Sequence, residues 1–177
     1  LPDVTRLVSF LGSKHDEHRL VVELPVIRKI PDILRKDGFK VTATLARPVH
    51  EGRKTRIINV QPGDTTDRNY AIAVDVGTTT VYAQLLDLVS GEIMAQFGEF
   101  NGQIGYGEDV ISRIMYAEKP GGLEKISDVV IQTINSLIDK LVKKSRIDID
   151  EISTITLAGN TTMTQLLLKI NPAYIRR

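Results

Sequence analysis

Asp75, Gly77, Thr78, Thr79 and Thr80 lie close together in the stretch Ala71-Ile72-Ala73-Val74-Asp75-Val76-Gly77-Thr78-Thr79-Thr80-Val81-Tyr82. One carboxylate, one glycine and three hydroxyls between two apolar runs make a set of groups that can hold a phosphate. A glycine permits a backbone conformation, or a closeness of approach, that a β-carbon forbids, so successive N–H groups can converge on an anion. The threonines add hydroxyl donors around the same point. Asp75 ends an apolar strand where packing gives it no role, and a carboxylate there can hold Mg2+, usually through water, while the metal bridges phosphate oxygens. Asp75 is therefore the candidate catalytic and metal-side residue, and Gly77, Thr78, Thr79 and Thr80 form the candidate phosphate cradle. Asp, Gly and Thr are also ordinary hairpin residues, so on spacing alone a tight turn with no ligand fits the same stretch.

The flanking elements must position this tip. Ala71 to Val74 has the length and apolar character of a buried strand, and Val81 to Leu88 forms a second. Ser90-Gly91 then makes a turn, and Glu92 to Phe100 completes an antiparallel meander. The glycine-punctuated loop Asn101 to Asp109 leads into a helix whose apolar face carries Val110, Ile111, Ile114 and Met115, with Arg113 off that face. Its glycines read as tight connections in preference to a ligand loop. After the break at Pro120-Gly121-Gly122, Leu123 to Lys144 shows apolar residues at i, i+3 and i+4 intervals, from Ile126 to Val142. Lys140, Lys143 and Lys144 complement the C-terminal end of that helix dipole and need no substrate to explain them. Ile152 to Ala158 reads as a buried strand, and Asn160 caps an apolar helix running through Leu168. The free N–H groups at that helix start offer a second contact for an anion or a partner.

Upstream, Leu1 to Ser13 allows a short helix, and Arg19 to Leu24 reads as a strand. Pro25 to Asp37 carries Val26, Ile27, Ile30, Ile33 and Leu34 at helical spacing. Pro31 interrupts it, which predicts a helical turn followed by a helix with Pro31 near its first turn and Gly38 as its stop. Phe39 to Ala46 alternates, with Phe39, Val41, Ala43 and Leu45 on one face, and Thr55 to Val60 is its expected partner strand. Pro62 to Asn69 is all turn and cap chemistry, which places a domain boundary there. Residues 1–64 are expected to form a small α+β domain and residues 65–177 a second unit with βββαβα order, giving an α/β chain overall. His15-Asp16-Glu17-His18 reads as a solvated turn, because two imidazoles without a third or fourth ligand make no zinc site.

Composition narrows the function classes. The 177 residues are 42% hydrophobic and 25% charged, with a formal net charge of +1, so no basic field marks a nucleic-acid or membrane surface. No apolar run approaches the ~20 residues of a membrane helix and no signal peptide is visible, which makes a cytoplasmic location the default. The chain has no cysteine, which excludes disulfides, thiol catalysis and a cysteine-ligated iron–sulfur cluster within these residues. It begins with Leu1-Pro2 and is expected to be a fragment of a longer protein.

Val-Asp-Val-Gly-Thr-Thr-Thr-Val resembles the first phosphate motif of the superfamily containing actin, the Hsp70 chaperones and sugar kinases. Val60-Gln61-Pro62-Gly63-Asp64, Tyr106 to Ile114 and Ala158-Gly159-Asn160-Thr161-Thr162-Met163, in that order around it, narrow the resemblance to the ATP-dependent reductive activators of corrinoid proteins. The resemblance covers nearly the whole chain. It implies a middle domain followed by the first half of an actin-like, ribonuclease-H-like ATPase domain, with an iron–sulfur domain elsewhere in the parent protein. It also implies ATP and Mg2+ as cofactors, with Asp75 on the metal side and Gly77, Thr78, Thr79 and Thr80 around phosphate. The implied partner is a corrinoid-containing methyl-transfer protein, with neither nucleic acid nor membrane involved and with room for a homodimer. The implied activity returns Co(II) corrinoid to Co(I) at the expense of ATP. A small-molecule kinase and a non-catalytic actin-like assembly protein remain as alternatives of the same superfamily.

Overall fold

The structure, a computed structural model, describes residues 2–50 and 52–175. It divides into two units, Leu1–Asn69 and Tyr70–Arg177, each with its own apolar core.

In the first unit, α1 (Asp3–His15), β1 (Leu20–Val22), α2 (Leu24–Lys36), β2 (Val41–Ala46) and β3 (Thr55–Pro62) follow in order. The sheet has the order β1-β3-β2, with β1 parallel and β2 antiparallel to β3. Leu7, Leu11, Val26, Ile30, Ile33 and Leu34 close on Ile57 and Val60. The expected helical turn and separate helix are in fact one helix, with Pro25 in its first turn and Pro31 in its interior. An interior proline forfeits a backbone hydrogen bond and costs about 3 kcal/mol. The four residues that α2 buries, Val26, Ile30, Ile33 and Leu34, are each worth about 1.5–3 kcal/mol, so the stripe outweighs the break while Pro31 stays on the exposed face.

Phe39 also departs from the alternation. Val41, Ala43 and Leu45 pack against the core, but Phe39 is 48% exposed. Gly38 and Phe39 both have positive φ, so the chain turns out of α2 before the strand begins and the Phe39 ring lies beneath the Arg6 guanidinium, 4.9 Å away. Thr65 to Asn69 belong to this first unit. The Thr65 N–H donates to the Thr42 hydroxyl (2.8 Å), and its own hydroxyl donates to Gln61 Oε1 (3.1 Å).

The second unit comprises β4 (Tyr70–Val76), β5 (Thr80–Asp87), β6 (Ile93–Phe100), a 3-10 turn at Gly102–Tyr106, α3 (Val110–Ala117), α4 (Gly122–Ser145), β7 (Ile152–Gly159) and α5 (Thr161–Leu167). Its sheet runs β6-β5-β4-β7: an antiparallel meander with β7 added parallel to β4. A parallel neighbour requires a long crossover, and α3 and α4 supply it. The meander, helices, strand and helix of the expected α/β order are all present, but β7, expected to be buried, is half-buried at its first two residues and exposed beyond them. Ile126, Val130, Leu137 and Leu141 of α4 are wholly buried against Ile72, Val74, Val81, Ala83 and Leu85 of the sheet. Lys140 leaves that helix to pair with Glu99 of β6 at 2.8 Å. Among the described residues no helix is long and apolar enough to cross a membrane.

Candidate phosphate-binding site

Parallel strands bring their C-terminal ends to one edge of a sheet, where α/β proteins gather their ligands. The register here pairs Asp75 with Ala158 and Val76 with Gly159. The bend after β4 and the start of α5 therefore emerge side by side. Val74 and Val76 are buried, while Asp75 between them points to the opposite face and is exposed, as the alternation of a strand requires. Among the described residues nothing hydrogen-bonds or ion-pairs with its carboxylate.

The bend itself is tight. A β-carbon on Gly77 would collide with the Thr80 carbonyl oxygen, so glycine is needed here for close approach. Thr79 and Thr80 are exposed and Thr78 is half-buried. Asn160, the residue before α5, does two things. Its Oδ1 accepts the Met163 N–H at 2.9 Å as a helix cap, and its Nδ2 donates to the Thr78 hydroxyl at 3.2 Å. The structure thus brings Asn160 into contact with the bend, and Asp75, Gly77, Thr78, Thr79, Thr80 and Asn160 share one end of the sheet.

Sequence reasoning missed what lies beneath. Asn101, wholly buried at the end of β6, donates from Nδ2 to the Gly77 carbonyl (2.8 Å) and from its backbone N–H to the Thr79 carbonyl (2.8 Å). Its Oδ1 accepts the Gln103 N–H at 3.0 Å. Arg113, expected off the apolar face of α3, is instead fully buried. Its Nε donates to the Gly107 carbonyl at 2.8 Å, and its Nη1 lies 3.3 Å from Gln103 Oε1 and 3.4 Å from Met163 Sδ, while Nη2 has no acceptor. Burial pulls the guanidinium below its usual value, opposed by the Asp109 carboxylate. That carboxylate is held below the ordinary Asp value, first by the Ser112 N–H that it caps. Gly107 packs against Arg113, where a β-carbon would sit 2.7 Å from its backbone nitrogen, so this glycine of the loop serves close packing beside the buried arginine.

Exposed hydroxyls, an exposed unpaired carboxylate and a tight glycine bend suit hydrated magnesium and phosphate. Of the His15–His18 stretch, His18 Nε2 lies 2.8 Å from Asp16 Oδ1 at an exposed position, and no group of three or more potential metal ligands occurs among the described residues. A hollow of about 710 Å³ in the first unit is lined by Leu7, Phe10, Phe39, Val41 and Leu45, and none of the candidate phosphate residues reaches it.

Fold and site together define an α/β chain whose second unit presents a candidate phosphate bend at the open end of a mixed sheet. Family models described as "RACo linker region" and "RACo middle region" match residues 1–67 and 70–177. The chain belongs to the RACo family. It is 40% identical over 122 residues to the corrinoid activation enzyme RamQ of Eubacterium limosum, covering 68% of this chain and 21% of RamQ. A solved "Reductive activator for corrinoid,iron-sulfur protein" superposes with a TM-score of 0.78 at 39% identity, over 98% of this chain and 27% of that one. An archaeal actin homologue, Ta0583, gives a TM-score of 0.40 at 14% identity, covering 85% of this chain and 60% of its own. The chain thus spans between a fifth and about a quarter of the length of these two corrinoid-activating relatives.

Proposed function

We propose that this chain is the linker and the first nucleotide-facing half of an ATP-dependent reductive activator, which returns Co(II) corrinoid on a methyl-transfer protein to Co(I). The observation that carries the reading is the 39% identity to a reductive activator for a corrinoid, iron–sulfur protein, sustained over 98% of the chain with a TM-score of 0.78. The second unit is read as the first half of an actin-like ATPase domain. The protein works in the cytoplasm, and its iron–sulfur cluster belongs to another part of the parent, since this chain has no cysteine to ligate one.

In this reading Asp75 orients a hydrated Mg2+, and Gly77, Thr78, Thr79 and Thr80 surround phosphate. Asn160 fixes the Thr78 hydroxyl from the neighbouring strand end. Bound MgATP supplies the free energy, through binding and hydrolysis, for an uphill electron transfer. For a one-electron step each ~59 mV corresponds to 1.4 kcal/mol, so nucleotide must favour one conformation or complex by several kcal/mol to be useful.

The test uses the full-length protein with its corrinoid partner and an artificial reductant, following the Co(II) and Co(I) absorption bands. ATP-dependent appearance of Co(I), lost in Asp75→Asn with corrinoid-protein binding retained, is expected. Co(I) formation at the same rate without ATP would overturn the reading, as would phosphorylation of a small molecule as the only activity.

A further inference from the structure

Resting on that reading of the bend, we propose that Asn101, backed by Gln103 and the buried Arg113, is a positioning residue that turns a backbone N–H of the bend toward the bound phosphate. In a trans peptide the C=O and N–H point in opposite directions, and the described residues contain no cis bond. Asn101 Nδ2 draws the Gly77 carbonyl inward at 2.8 Å, so the Thr78 N–H of the same peptide unit points outward. The Asn101 backbone N–H holds the Thr79 carbonyl in the same way. Among the described residues the Thr78 N–H has no acceptor. A bend with its carbonyls tied inward presents donors to an anion. Released, the same bend could turn carbonyl oxygens outward and repel one.

Asn101 is itself fixed from behind. Its Oδ1 accepts the Gln103 N–H, and Gln103 in turn donates from Nε2 to the Ile126 carbonyl of α4 at 3.0 Å. Gln103 Oε1 faces Arg113 Nη1. No carboxylate among the described residues forms an ion pair with Arg113. A buried cation with no carboxylate in direct contact, its nearest opposing charge being Asp109, is joined to the bend through two amides and favours an anion on the far side. Its Nη2 has no acceptor among the described residues.

The experiment compares full-length wild type, Asn101→Asp and Arg113→Gln. Calorimetry reads MgATP affinity, partner binding without nucleotide reads the rest of the protein, and a thermal scan confirms that each variant is folded at the titration temperature. Asn101→Asp keeps the size and the acceptor for the Gln103 N–H but removes the donor to Gly77. It is expected to weaken MgATP about tenfold or more while partner binding is unchanged, and Arg113→Gln is expected to weaken MgATP by a smaller factor. A folded Asn101→Asp with wild-type affinity overturns the proposal. In the wild type, residue-resolved hydrogen exchange is expected to show the Thr78 amide slowed by saturating MgATP. This arm also decides the case if a variant fails to fold, and an unchanged Thr78 amide overturns the proposal. Wild type that binds no nucleotide removes the underlying reading as well, whereas wild type that binds with Thr78 unprotected removes only the positioning role.

Discussion

At the scale of single residues, the chemistry here is legible where a side chain breaks its local pattern. Asp75 stands out because a carboxylate interrupts an otherwise apolar strand near its end, and the structure leaves it exposed and unpaired among the described residues. Gly77 stands out less, since hairpins use glycine freely, yet its place is set by contact: a β-carbon would meet the Thr80 carbonyl, a backbone atom that cannot swing aside. Gly77→Ala is therefore expected to destabilise the second unit by about 1–3 kcal/mol, the usual cost of overpacking. Gly105→Ala, where a β-carbon meets nothing within 4 Å, serves as the unaffected control. Denaturant unfolding of the two variants checks the difference. Asn101 and Arg113 were not legible, because their roles exist only in three dimensions. Asn101 meets Gly77 across 24 positions and Arg113 meets Met163 across 50. No local spacing encodes such pairs, and an arginine next to an apolar stripe is ordinarily a solvated one.

At the scale of elements, periodicity carried the long segments and failed where two signals competed. The apolar repeat of α4 and the strand–turn–strand pattern of the meander each have one physical solution, so sequence and structure agree to within a residue or two at their ends. In α2 the proline signal argued for a break and the apolar stripe for continuity, and burial won. Phe39 failed for the opposite reason: alternation placed it inside, but the positive φ at Gly38 and Phe39 turned the chain first. The packing of α4 on β6 includes one tie that titrates. The Glu99 carboxyl is held below its ordinary value of 4.5, first by the Lys140 ammonium and then by the Ser136 hydroxyl, against a raising effect of burial. A carboxylate with a depressed folded value adds stability that is complete above its unfolded value and is lost as pH falls through the folded one. Glu99→Gln is thus expected to be slightly less stable than wild type at neutral pH, by under about 1 kcal/mol since Lys140 is half exposed. The two curves should converge below pH 4 or so. Unfolding midpoints measured from neutral to acid pH check it, and a gap that persists in acid would mean that packing, not charge, sets the difference.

At the scale of the whole molecule, the proposed function makes these residues one wall of a nucleotide site. Nucleotide in a cleft binds because most of its surface leaves water, typically 70–90% for a well-held ligand. Here the candidate groups, Asp75, Thr79 and Thr80, are exposed at a sheet end. Such groups can meet phosphate and its metal, but they offer no enclosure for a base or ribose. Phosphate contacts made in open water exchange one hydrogen-bonding partner for another, with little net gain. The 177-residue chain by itself is accordingly expected to bind MgATP weakly, in the millimolar range or beyond, although the bend is already formed, while the full-length protein binds far more tightly. Calorimetry on the two proteins side by side tests this. A micromolar dissociation constant for the isolated chain would show that the bend, the Asn160 contact and the layer behind them hold nucleotide unaided. Equal weakness in the full-length protein would instead overturn the reading of this bend as a nucleotide site.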